Sequence, residues 1–224
     1  MNEIINVLDH GYVELVDHMG DDLTPAETAR MSYGAKPRGW DEGDGRLTRR
    51  LLTDRHTSPF EFNEAVFEIQ APIFVARQWV RHRTANWSEF SMRYAEAERL
   101  SGDEVLFYTP SAWSYQGQAN KQGSGPPIKE VGRAFTSSYE QRCREAIDTY
   151  HYLLGHGVAR EQARMVLPVS VYTRWRWKLD FHNLDHFLRL RMDEHAQWEM
   201  QEYARAVEAL LRTIWPKLME LRSE

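Results

Sequence analysis

Between Glu64 and Arg83 the chain reads EAVFEIQAPIFVARQWVRHR, and its hydrophobic spacing changes at Pro72. Before the proline, Phe67, Ile69 and Ala71 fall on one side of a two-residue period, as in a strand. After it, IFVARQWVRHR has the character of a helix, with Pro72 placed for the first turn. A strand that hands over to a helix in mid-chain excludes an all-α or all-β architecture.

The flanking segments extend this mixture. The first forty residues read as a short β/α segment, with a helix start at Thr24, Pro25 and Glu27. GWDEGDG predicts a turn, followed by a helix over LTRRLLTDRHTSPFEF that stops before Pro59. LFYTP, from Leu106 to Pro110, predicts another strand, and SYQGQANKQGSGPP a long surface loop. Two long helical patterns follow. Phe135, Tyr139, Cys143, Ala146, Tyr150 and Leu153 form one apolar stripe. Leu184, Phe187, Leu188, Trp198, Tyr203, Ala206, Leu210 and Ile214 form the other. The expected fold class is α+β: helices flanking a small, mainly antiparallel sheet, in one domain spanning 1–224.

Composition narrows the function. No apolar run approaches the roughly 20 residues of a membrane helix, so no membrane partner is expected. The opening MNEIINVLDHGYVELVDHMG lacks a secretion signal, and a single cysteine excludes an internal disulfide. Both point to the cytoplasm. The formal charge of −5 argues against a nucleic-acid partner held by the general surface field. No G-x-G-x-x-G or P-loop pattern occurs in the chain.

Against that acidic balance, RQWVRHRTANWSEFSMRY gathers Arg77, Arg81, Arg83 and Arg93 with His82. No Asp or Glu lies between Glu68 and Glu89, so arginines spaced three and four apart repel unless something anionic offsets them. In an extended WSEFSMR, Glu89, Ser91 and Arg93 share one row, suited to a ligand bearing a phosphate and hydrogen-bonding groups. EQARMVLP adds Arg164, and KLDFHNLDHFLRLRMDEHAQWE adds His182, His186, Arg189, Arg191 and His195.

These blocks, with RHTSPFEF before them, resemble in sequence and order the flavin-dependent thymidylate synthases, whose signature RHR-x7-S matches RHRTANWSEFS. The resemblance covers most of the chain from Ser32 to Glu199. It implies reductive methylation of dUMP to dTMP. The carbon comes from 5,10-methylenetetrahydrofolate and the hydride from NADPH through bound FAD. It implies dUMP contacts at Gln78, Trp79, Val80, Arg81, Glu89, Phe90, Ser91, Met92, Arg93, Arg164 and Arg191. Arg191 is the implied catalytic residue, placed to stabilise negative charge on the pyrimidine. FAD contacts are implied at Ser32, His56, Ser58, Arg81, His82, Arg83, Glu89, Asp180, Phe181, His182 and His186. His195 and Gln197 are implied supports near the site. The resemblance also implies a homotetramer with sites shared between subunits, no resident metal, and no cysteine nucleophile, since Cys143 lies outside every matched block.

Two other readings compete on the residues alone. RQWVRHR and YTRWRWK could form an arginine/aromatic platform for nucleic acid. His182 and His186, four apart on a helix, could ligate a hydrolytic metal with Asp185 or Glu194.

Overall fold

The structure is a computed structural model that describes residues 3–34, 39–118, 123–129 and 132–223. Its strands are β1 (Ile4–Val7), β2 (Gly11–Met19), β3 (Glu64–Pro72), β4 (Asn86–Glu89), β5 (Ser114–Gln116), β6 (Ser124–Pro127) and β7 (Tyr172–Asp180). The main sheet has the order β1-β2-β3-β7-β4, antiparallel at every pairing, while β5 and β6 form a separate ribbon. The helices are α1 (Thr24–Met31), α2 (Glu42–Thr53), α3 (Ile73–Trp79), α4 (Gly132–Gly155), α5 (Arg160–Ala163), α6 (Phe181–Arg191), α7 (Trp198–Ile214) and α8 (Pro216–Ser223). The α+β expectation with a small antiparallel sheet holds.

Strand β7, at the centre of the functional half, is an element the sequence reading does not anticipate. Its sequence YTRWRWKLD alternates Trp175, Trp177 and Leu179, all buried, with Arg174, Arg176 and Lys178 on the opposite side. The buried row lies opposite β3 in register, Phe67 facing Trp177 and Ile69 facing Trp175. The cationic row is neutralised across the same strands: Arg176 Nε lies 3.1 Å from Glu68, and Lys178 Nζ donates to Glu64 at 2.6 Å. YTRWRWK is therefore half core and half cross-strand ion pairs: its tryptophans are buried, and Arg176 and Lys178, though on the surface, are paired with Glu68 and Glu64.

Other boundaries also move. Helix α2 begins inside the Gly-rich stretch, because Asp41 and Asp44 cap each other's backbone N–H groups at 3.1 and 2.7 Å. It ends at Thr53, and Arg55 then takes a left-handed φ of 56°; Ser58–Phe62 is a separate 3₁₀ turn. Leu106–Pro110 supplies only an isolated bridge, Phe107 to Val171. The last helical pattern is broken into α6 and α7 by residues 192–197.

The handover at Pro72 holds, with Pro72 as last residue of β3 and N-cap of α3 rather than inside its first turn. Helix α3 is short, and Val80 is its C-cap. Beneath it lies an aromatic core. Trp79 is 0% exposed, stacked on Phe187 of α6 at 4.9 Å and edge-on to Trp175 and Trp177 of β7 at 5.3 and 5.2 Å. Helix α7 closes this layer: Tyr203 donates to the Gln70 carbonyl at 2.8 Å. The closeness requires glycine at 11, where a Cβ would sit 1.9 Å from the Tyr203 hydroxyl.

Candidate active site

The end of α3 and the exposed side of α6 meet in one polar cluster. Arg191, on the last turn of α6, donates through Nε to His82 Nε2 at 2.9 Å and through Nη2 to the Gln78 carbonyl at 3.0 Å. Both bonds fix the guanidinium plane. Gln78 in turn donates its side-chain Nε2 to Gln197 Oε1, at the start of α7. The His82 ring lies edge-on to Phe187 at 5.0 Å and 6.1 Å from the ring of His186.

The electrostatics of this cluster are one-sided. Burial, then the charges of Arg191 and His186, push the His82 pKa down to about 4. The ring is thus neutral near pH 7, as its role as acceptor from Arg191 requires. Burial also lowers the pKa of Arg191, which nonetheless stays protonated at any ordinary pH. Among the described residues, no carboxylate forms an ion pair with Arg77, Arg81, Arg83, Arg164 or Arg191. The repulsion anticipated from the sequence is not offset by an ion pair among the described residues.

A second cluster forms around the turn after β4. The strand ends at Glu89, so Glu89, Ser91 and Arg93 do not continue as an extended row: Tyr94 N bonds back to Ser91 O at 2.9 Å. Glu89 and Arg93 are instead each held by a different element. Glu89 Oε1 accepts from Thr173 at 2.8 Å, and Arg93 Nε lies 3.6 Å from Glu161 on α5, three residues before Arg164. Thr173 and Glu161 are the holding residues that sequence reading missed. Thr173 sits in the unforeseen β7, and Glu161 opens the EQARMVLP block, from which sequence reading takes only Arg164.

The remaining expected positions lie around the start of α6. Asp180 caps that helix, accepting from Asn183 N at 2.9 Å, and Phe181 packs on Phe60 of the 3₁₀ turn at 5.8 Å. His56 and Ser58 stand exposed beside that turn, and Ser32, the C-cap of α1, is exposed as well. Trp79, Met92 and Phe181, expected as ligand contacts, are instead buried in hydrophobic clusters, with 0%, 7% and 1% of their surface exposed. Val80 is exposed, and Phe90 packs on the smaller cluster.

The metal reading loses its ligands here. Asp185 is engaged by Arg189 at 2.8 Å and by Arg222. Among the described residues no group of three or more His, Cys, Asp or Glu side chains is arranged to hold an ion. No helix among them is long and apolar enough to cross a membrane. Cys143 is buried beside Ser170, its Sγ 3.8 Å from the hydroxyl.

An antiparallel sheet backed by tryptophans carries, at the end of a short helix, a cationic rim with no carboxylate paired to Arg81, Arg83 or Arg191 among the described residues. Comparison with known proteins makes the class definite. A family profile described as thymidylate synthase complementing protein matches residues 14–217. A flavin-dependent thymidylate synthase of Thermus thermophilus is 48% identical over 209 residues, covering 93% of this chain and 74% of that protein. The Dictyostelium discoideum enzyme of the same name is 42% identical over 226 residues, covering 96% and 72%. Among solved structures, the UMP/dUMP methylase PolB from Streptomyces cacaoi, bound with 5-Br UMP, superposes with a TM-score of 0.83 at 30% identity, covering 98% of this chain and 96% of that one. The chain belongs to the flavin-dependent thymidylate synthase family.

Proposed function

We propose that the chain converts dUMP to dTMP, taking the methyl carbon from 5,10-methylenetetrahydrofolate and the reducing equivalents from NADPH by way of FAD. The observation that carries this reading is Arg191. It is a partly buried guanidinium with no carboxylate partner among the described residues, held by a neutral histidine and a main-chain carbonyl. Its remaining N–H groups are free to meet a ligand oxygen. Placed against the N3/O2 edge of the uracil, that fixed charge stabilises electron density in the ring and makes C5 a better nucleophile toward the one-carbon unit. No enzyme thiol is needed, which accords with Cys143 being buried elsewhere.

The residues present suit FAD. Arg81 and Arg83 bring unneutralised guanidinium groups for a diphosphate, while His56, Ser58, His182 and His186 offer ring nitrogens and a hydroxyl. When bound, FAD supplies the hydride that reduces the transferred carbon. Arg93 and Arg164 serve the nucleotide phosphate, Ser91 donates to it, and Gln78 reads the base. The Arg191 cluster and the Arg93 cluster stand on different elements of one copy. We read 1–224 as one catalytic domain of a cytoplasmic homotetramer in which neighbouring copies complete each site, as the resemblance implies.

The test is spectroscopic and chemical. Purified protein with FAD should show flavin absorption that NADPH bleaches under anaerobic conditions, more readily with dUMP present, and should form dTMP when the folate is added. A flavin spectrum indifferent to both NADPH and dUMP, with no dTMP formed, would discard the reading.

A further inference from the structure

We infer that Gln197 is a positioning residue for nucleotide recognition, an inference that rests on reading Gln78 and Arg191 as nucleotide contacts. Gln197 is the N-cap residue of α7, yet its side chain makes no capping bond to that helix. It reaches across to α3 instead, where its Oε1 accepts from Gln78 Nε2. The backbone behind it is held independently. Ala196 N bonds to Asp193 O at 2.9 Å, Gln201 Nε2 donates to Ala196 O at 2.8 Å, and Arg205 donates to Gln201 Oε1 at 2.9 Å. Gln197 thus presents its amide from a fixed base.

The consequence falls on two ligand-facing groups together. A glutamine amide has a donor end and an acceptor end that exchange when it turns over. The bond to Gln197 commits Gln78 Nε2, leaving the Gln78 oxygen and one N–H in a set order toward the open side. A pyrimidine edge also alternates donors and acceptors, so only one order pairs with it, and a mispaired group costs affinity. The main-chain carbonyl of the same residue accepts from Arg191, so Gln78 is bonded to both Gln197 and that guanidinium.

Two substitutions separate this role from a structural one. Gln197→Met keeps length and volume without an acceptor. Gln197→Glu accepts only, enforces the same order on Gln78, and favours the helix N-terminus electrostatically. In holoenzyme kinetics, Gln197→Met should raise the KM for dUMP about tenfold, one lost hydrogen bond. Its kcat should stay within about threefold and its melting temperature near wild type, since no helix cap is removed. Gln197→Glu should hold KM within about threefold of wild type, the acceptor being retained. An unchanged KM in Gln197→Met overturns the inference, as does an equal KM loss in Gln197→Glu. A fall in melting temperature with KM unmoved would do the same, because it marks a purely structural residue. Wild-type protein that binds no dUMP would overturn the proposed function along with it, whereas dUMP turnover with an indifferent Gln197→Met variant overturns the inference alone.

Discussion

Helices α3 and α6 each carry two faces that share almost no chemistry. On the inner face Trp79 and Phe187 stack at 4.9 Å over Trp177, all three sealed from solvent. On the outer face stand Gln78, His186 and Arg191, joined by Arg81 and His82 from the turn just past α3, with no carboxylate paired to either arginine among the described residues. The inner face supplies stability, through close packing and area removed from water. The outer face forgoes it, keeping like charges together for a ligand to neutralise. The packed layer inside anchors the elements that bear the charge outside: Phe187 of α6 packs against both Trp79 and the His82 ring, and Arg191 follows on the same helix.

The sharpest way to break the distinction is Trp79→Ala. It removes the ring on which Phe187, Trp175, Trp177 and Tyr203 all converge. A loss of about 3–5 kcal/mol in denaturant unfolding is expected, with activity lost alongside the fold. Arg191→Ala should do the reverse. Unfolding should stay within about 1 kcal/mol of wild type, because a partly exposed arginine is removed, while dTMP formation falls about 100- to 1,000-fold. Similar stability losses in both variants would erase the two-face picture.

The inner face is partly legible in the sequence and the outer one only in outline. The period-two row of Phe67, Ile69 and Ala71 marks β3, because alternation is a local property that backbone geometry alone imposes. The same alternation in YTRWRWKLD is masked, since arginines between tryptophans read as a binding surface until Glu68 and Glu64 are seen across the strand. The bend after Glu89 is equally hidden: nothing in WSEFSMR announces a turn, and β7 still runs on past Trp175, the partner of Glu89, with Phe90 N bonded to Arg174 O at 2.8 Å. Segments bearing Gln78, Arg81 and Arg191 can be named from sequence, whereas the bonds joining Arg191 to His82 and Gln78 to Gln197 span 109 and 119 residues. No local pattern encodes contacts of that separation.

Acid should blur the two faces by acting on the outer one. The folded protein holds His82 near pKa 4, against 6.5 for an unperturbed ring. Above about pH 6.5 both folded and unfolded chains carry it neutral, and it adds no pH dependence. As pH falls from 6.5 toward about 4, the unfolded chain takes up a proton that the folded chain refuses, so stability declines through that window. His82→Gln, which still offers Arg191 an acceptor, should flatten this part of the stability–pH profile. An unaltered slope would mean that His82 is not the group responsible.

The smallest effect is expected at Cys143, which lies on α4 against the smaller side of the molecule. Its sulfur touches the Ser170 hydroxyl at 3.8 Å, and its neighbours Arg142 and Arg144 are drawn to Glu145 and Glu140 at 2.6 and 2.8 Å rather than toward the thiol. Buried in this way, the side chain behaves as a small hydrophobe. Cys143→Ala should therefore cost about 1 kcal/mol of stability and leave dTMP formation essentially at the wild-type rate. Because a thiol nucleophile is the one alternative that would transfer activation of the uracil from Arg191 to another part of the chain, this variant is the most economical check on the mechanism. Abolished turnover in a Cys143→Ala protein that unfolds normally would move the chemistry away from the α3–α6 rim altogether.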